Sequence, residues 1–260
     1  MTRFAANVSF LFAELPFVER FAAARAAGFD TVELHWPRGE DLDEVAAAVA
    51  DAGVAVCLMN FDGGDPAAGD RGLMALPERQ DEWRAHVPVA LDLARRIGCE
   101  TLHALVGVER PDQREAQLTW AAIELAFAAD AAAEQGATVV VEALNPDDNG
   151  RVLLQNNEDA TEFLWRAARS NTGLQFDAYH AAMIGRDPVA ELEAHFDHVR
   201  HVQIADCPGR GERGTGKMDV DGFLAALDRL GWDGHVGLEY RPSDIGTVAS
   251  LRAWGVGSPP

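Results

Sequence analysis

The sequence predicts an α/β fold, a single (β/α)8 barrel of parallel strands ringed by helices. Three observations predict it. Short apolar runs alternate with longer Ala/Leu/Glu/Arg-rich stretches, and eight such pairs follow one another along the chain. The runs are almost continuously apolar, as expected of strands covered on both faces. Several helical stretches close on a glycine, at Gly28, Gly53, Gly98, Gly136 and Gly231; glycine adopts the left-handed backbone that ends a helix at least cost.

FAANVS (4–9) is read as the first strand, and Pro16 opens a helix that ends near Gly28. TVELH (31–35) is the second strand, followed by a helix from Leu42 to Ala52. VAVCLMN (54–60) is the third. A long glycine-rich connection leads to a helix from about Glu78 to Ile97. TLHALVG (101–107) precedes a helix from about Gln113 to Gln135, and TVVVEAL (138–144) precedes one from about Asn157 to Arg169. GLQFD (173–177) is followed by a short helix near Pro188–His195, and VRHVQIAD (199–206) by a helix near Val220–Leu230. HVGLEY (235–240) is the eighth strand, with Ser243 capping a last helix to about Trp254. An open doubly wound sheet is the alternative, but it would usually carry a glycine-rich nucleotide turn after its first strand. That turn here is SFLFAELP, without glycine. No linker or repeat divides residues 1–260, which are read as one domain.

Composition narrows the function. Lys and Arg number 22 against 42 Asp and Glu, a formal charge of −20. Such a surface repels nucleic acid and anionic membrane, and an anionic substrate needs a local cationic pocket. Cys57, Cys99 and Cys207 are an odd, scattered set without a CxxC pair, which points to buried thiols in a reducing compartment. No run is long and apolar enough to span a bilayer, and the N-terminus lacks a secretory pattern. A cytoplasmic location is expected.

Four polar residues stand where four apolar runs end: Glu142, Asp177, Gln203 and Glu239. Each is about one strand–helix unit from the next. A charged or amide group at the end of a buried strand is costly unless it is paired, and four in consecutive units suggest one shared partner. In a barrel of this kind chemistry sits at the C-terminal strand ends. Three carboxylates and an amide oxygen suit a hard divalent cation, magnesium or manganese. The plainer reading of each residue is a solvated loop position just past its strand. Among the first four strands only Glu33 offers a comparable carboxylate.

His180, three residues after Asp177, is expected to meet substrate or hold a carboxylate. His201 shares a strand face with Gln203. The stretch 62–79 is long for a barrel loop, as lids are; its Arg71, and Arg241 beyond Glu239, are candidates for binding a substrate carboxylate. Arg210 and Lys217 lie in PGRGERGTGK, a glycine-rich segment able to fold over the site. GTGK lacks the full phosphate-loop spacing and is not read as one.

RFAANVSFLF, AGFDTVE, GDPAAGDRG, VVVEALNP, FDAYH, VQIADCPGRGERGTG and GLEYRP together resemble the hydroxypyruvate isomerases and their relatives, the 2-oxotetronate isomerases, of the xylose-isomerase-like TIM barrel superfamily. The resemblance covers residues 3–254. It implies a divalent metal on Glu142, Asp177, Gln203 and Glu239, with Glu142 and Glu239 also serving as an acid–base pair, and a homo-oligomer acting on a small hydroxy-oxo acid. VEALNP leans toward the tetronate branch and IADCPGRGERGTG toward the hydroxypyruvate branch. The expected reaction moves a proton between adjacent carbons of an α-hydroxy carbonyl through an enediolate, whose charge a divalent cation stabilises. The rivals are a ketose 3-epimerase, which differs only in substrate, a non-catalytic metal-binding barrel, and a metal-dependent endonuclease, which the charge disfavours.

Overall fold

The computed structural model describes residues 2–243 and 246–256. Eight strands close a parallel barrel in sequence order: β1 (Arg3–Asn7), β2 (Thr31–Leu34), β3 (Ala55–Asn60), β4 (Thr101–His103), β5 (Thr138–Glu142), β6 (Thr172–Asp177), β7 (Val199–Ile204) and β8 (His235–Leu238). The longer helices are α1 (Glu19–Ala26), α2 (Leu42–Ala52), α3 (Gln80–Arg96) and α4 (Arg114–Ala133). After a single turn, α5 (Pro146–Asn149), come α6 (Asn157–Ala167), α7 (Ala178–Met183), α8 (Pro188–His195), α9 (Val220–Leu230) and the short α10 (Thr247–Ser250). The predicted fold class is the observed one, and α2, α8 and α9 lie where the approximate bounds put them.

The chain forms two compact units. The first holds the residues up to Cys57, Asp177–Ala194 and those from Val202 onward; the second holds Leu58–Phe176 and His195–His201. In the first unit β1 lies between β2 and β8, with Asn7 opposite Glu33 and Ala5 opposite Gly237. On the other side of β8, Gly237 stands opposite Gln203 of β7. The helices of this unit begin and end for local reasons. Asp41 accepts from the backbone N–H groups of Asp43 and Glu44 to start α2, and Gly53 ends it at a φ of +63°. Asp219 and Gly231 do the same for α9. Pro16 does not open α1: no side chain caps its start, and a tight turn with Glu19 N–H on the Pro16 carbonyl delays it to Glu19.

In the second unit β5 pairs with β4 and β6, placing Val140 opposite His103 and Glu142 opposite Gln175. β4 stops at His103, short of the expected Gly107, because the backbone beyond it turns to the long connection after β3. There Ala75 N–H donates to the Val106 carbonyl. Gly72, at a φ of +113°, lies so close to Leu105 that a Cβ would overlap its carbonyl. On the helical side, the buried Glu124 of α4 accepts from Arg84 and Gln80 of α3.

Candidate active site

Three of the four strand-end residues lie in the first unit. Asp177 ends β6, Gln203 is in β7, and Glu239 follows β8; all are buried, at 4%, 1% and 4% exposure. Asp177 also starts α7, accepting from the backbone N–H of Tyr179. That short helix is absent from the sequence reading, and it carries His180 back over the strand end, with Nε2 3.6 Å from the Asp177 Oδ2.

A guanidinium joins two of these carboxylates. Arg210 Nη2 is 3.1 Å from Asp177 Oδ2 and 2.6 Å from Glu239 Oε2, while its Nε donates to the Glu239 carbonyl at 3.2 Å. The rings of Phe10 and Tyr179 lie on the guanidinium, each with its centroid 5.0 Å away. The loop that brings Arg210 here is tied down twice. At its base the buried Asp206 carboxylate accepts from the N–H groups of Cys207, Gly214 and Met218. Further on, Glu212 accepts from the Ser243 backbone and hydroxyl. Ser243 is thus a loop anchor and not the expected cap of the last helix, which begins at Thr247.

Below this ion pair is a second layer of polar groups. His35 Nε2 lies 2.8 Å from Glu239 Oε1, and Asn7 Nδ2 donates to that oxygen at 3.2 Å. Asn7 also donates to Glu33 Oε1 at 2.9 Å, and Gln203 Nε2 donates to it at 2.6 Å. Burial and the neighbouring Glu239 push the Asp177 carboxyl above the usual carboxylate range, against the pull of Arg210. Burial opposes ionisation of Glu239 too, but Arg210 and His35 outweigh it and hold that carboxyl low.

The remaining expected residues are distributed as follows. Glu142 ends β5 in the second unit, buried, with His103 Nε2 3.6 Å from its Oε2. His201 is buried in β7. Arg71 turns back on its own loop, donating to the carbonyls of Asp70 at 2.7 Å and Pro66 at 3.4 Å. Arg241 is exposed, and its backbone N–H donates to the Arg210 carbonyl. The sequence reading did not single out His35, Asn7 or the pairing role of Glu33. Glu33 and His35 do recur two apart in TVELH, which puts them on one strand face.

The donor set of the first unit fits a hard divalent cation. Asp177, Gln203 and Glu239 supply only oxygen, and two buried carboxylates there are already met by one cation, the Arg210 side chain. Asp177 and Glu239, with the amide oxygen of Gln203, would hold the ion from this unit.

The comparisons with known proteins agree with this fold. A family model described as xylose isomerase-like TIM barrel matches residues 21–254. The chain is 41% identical to a putative hydroxypyruvate isomerase of Streptomyces coelicolor, over 96% of this chain and 94% of that one. It is 38% identical to a 2-oxo-tetronate isomerase of Cupriavidus necator, over 96% of each. It is 32% identical to the hydroxypyruvate isomerase of Escherichia coli, over 97% of this chain and 98% of that one. Among solved structures, a Brucella melitensis protein described as AP endonuclease, family 2, superposes with a TM-score of 0.93 at 35% identity, covering 98% of both chains. An L-ribulose 3-epimerase shares the fold at a TM-score of 0.75 and 22% identity, over 100% of this chain and 88% of that one. The chain belongs to the xylose isomerase-like TIM barrel family and, within it, to the hydroxypyruvate isomerase and 2-oxo-tetronate isomerase group. It is an isomerase.

Proposed function

We propose that this chain is a divalent-metal-dependent isomerase of a short hydroxy-oxo acid, converting hydroxypyruvate to tartronate semialdehyde. The observation that carries the reading is the half-buried Arg210 guanidinium on the buried Asp177 and Glu239 carboxylates, beside the rings of Phe10 and Tyr179. A chain of net charge −20 keeps one planar, carboxylate-matching cation at its strand ends. A substrate that carries its own carboxylate gives that cation a partner once a metal ion takes the protein carboxylates. A neutral ketose does not, which favours the acid over the 3-epimerase alternative. The non-catalytic metal barrel has no use for such a group.

Glu142, Asp177, Gln203 and Glu239 are proposed as the metal ligands, with magnesium or manganese as the ion. When bound, it supplies positive charge against the negative charge that develops on substrate oxygen. The chain's own groups do the rest. The proton leaving C3 goes to one glutamate of the pair Glu142 and Glu239, and the other returns a proton to C2. A hydroxyl proton passes from the oxygen on C3 to the oxygen on C2, so no atom is gained or lost. Glu239, whose carboxyl Arg210 and His35 hold low against its burial, suits the accepting role. His180, beside Asp177, is placed to donate to a substrate oxygen. Arg210 takes the carboxylate-binding role first assigned to Arg71 or Arg241, which turn to the loop and to solvent.

A 2-oxotetronate is the second reading, favoured by the 38% identity to the Cupriavidus necator relative. Among the described residues no helix is long and apolar enough to cross a membrane; we place the chain in the cytoplasm, as one domain in a homo-oligomer. The test is a substrate panel. With manganese or magnesium present, hydroxypyruvate, 2-oxotetronates and free ketoses are offered separately and products are followed by NMR. Turnover of hydroxypyruvate above the others supports the proposal, and turnover of free ketoses alone overturns it in favour of an epimerase.

A further inference from the structure

Glu33 is fully buried in β2, and β8 is shaped around it. Its carboxylate fills the space over Gly237 of β8, where a Cβ would overlap all three carboxyl atoms. Gly237 is the register partner of Gln203, so the gap in β8 opens beside the residue that Glu33 binds. One oxygen of Glu33, Oε1, accepts from both Gln203 Nε2 and Asn7 Nδ2. Asn7 in turn donates to Glu239 Oε1.

A glutamine side chain presents an oxygen and a nitrogen of nearly equal size, and only its hydrogen-bond partners decide which way round it lies. A metal ion accepts the oxygen and rejects the NH2. A carboxylate accepts hydrogen bonds and donates none when ionised, so a neighbouring carboxylate forces the NH2 toward itself. We infer that Glu33 is a positioning residue that fixes the amide of Gln203, and through Asn7 the carboxylate of Glu239, so that both present oxygen to the cation. This rests on the metal reading above. Glu33 touches neither ion nor substrate in this role, and it acts through two neighbours. Such supporting contacts are as much a part of a metal site as its ligands, and their loss commonly weakens metal affinity by about 10–100-fold.

The test measures Mn2+ affinity by electron paramagnetic resonance on the full chain, with folding checked by circular dichroism. Glu33→Ala is expected to weaken binding by about 10–100-fold. Glu33→Gln keeps an oxygen able to accept both bonds and is expected to retain most of the affinity. The decisive comparison is made in Gln203→Ala, where Glu33→Ala is expected to cost clearly less than in the wild type, because only the route through Asn7 to Glu239 remains. An equal loss in both backgrounds shows a merely structural role and overturns the inference, as does a Glu33→Ala protein with wild-type affinity. If Glu33→Ala fails to fold, Glu33→Met, of similar length and without an acceptor, takes its place in the same cycle. A wild-type chain that binds no Mn2+ overturns the metal reading itself, and is distinct from a wild type that binds and a variant that binds equally well.

Discussion

The Arg210 guanidinium lies 2.6 Å from the buried Glu239 carboxylate, in a pair that the primary structure separates by a loop and a whole helix–strand unit. Glu239 is buried and Arg210 half-buried, and aromatic rings and further hydrogen bonds complete the pair. It also sets a competition. A divalent cation that takes Glu239 and Asp177 must displace the guanidinium, which then becomes available to an anionic substrate.

Arg210→Ala is therefore expected to change two quantities in opposite directions. Mn2+ affinity rises, because a competing cation is gone. The kcat/KM for hydroxypyruvate falls by about 100-fold or more, because a desolvated charge-assisted pair to the substrate is lost. Arg210→Lys does not restore it, since the ammonium cannot reproduce the planar fork or the stacking. Steady-state kinetics and metal titration on the same preparations check both halves.

Asp206 holds the loop that delivers Arg210. Asp206→Ala leaves three backbone N–H groups without their acceptor and is expected to cost about 1–3 kcal/mol in urea unfolding. It is also expected to lower kcat/KM, although Asp206 stands outside the proposed ligand set. Asp206→Asn keeps one acceptor oxygen and should fall between the two.

Alkaline stability follows from two buried acids. Burial pushes the Cys99 thiol up to about 12, and burial likewise raises the Tyr240 phenol to about 12 despite its hydrogen bond with Ser250. Both values exceed those of the unfolded chain, about 8.5 and 10. The unfolded state thus releases these protons first, and stability is full below about pH 8.5 and falls as pH rises toward 12, by up to about 1.4 kcal/mol per pH unit per group. Denaturant midpoints at pH 7.5, 9 and 10.5 should fall in that order. Iodoacetamide at pH 8 should leave Cys99 unlabelled in the folded protein and label it in urea, read by peptide mass spectrometry.

Much of this was legible before any coordinates. The strand ends at Asp177 and Glu239 stand out because a charged group terminates an apolar run, and α2 and α9 declare themselves through an aspartate before and a glycine after. What was not legible depends on distant parts of the chain. Arg210 reads as one of several loop cations until Asp206 and Glu212 fold its loop. α7 is six residues long, too short to show a helical period, and it exists because Asp177 caps it. β4 ends early because Gly72 and Ala75 meet the backbone beyond it, a contact across the chain that periodicity does not encode. Glu33 and His35 alternate visibly in TVELH, but alternation does not say that one will meet Gln203 and the other Glu239.

The central claim is that a strand-end glutamate moves a substrate proton. It is tested by following deuterium entry into hydroxypyruvate in deuterated water by NMR, with manganese present, for the wild type and Glu239→Gln. Rates are corrected for exchange without enzyme. The account predicts protein-dependent exchange in the wild type and its loss, by about 1,000-fold or more, in the variant. Exchange at the wild-type rate in Glu239→Gln, with unchanged Mn2+ affinity, would contradict it.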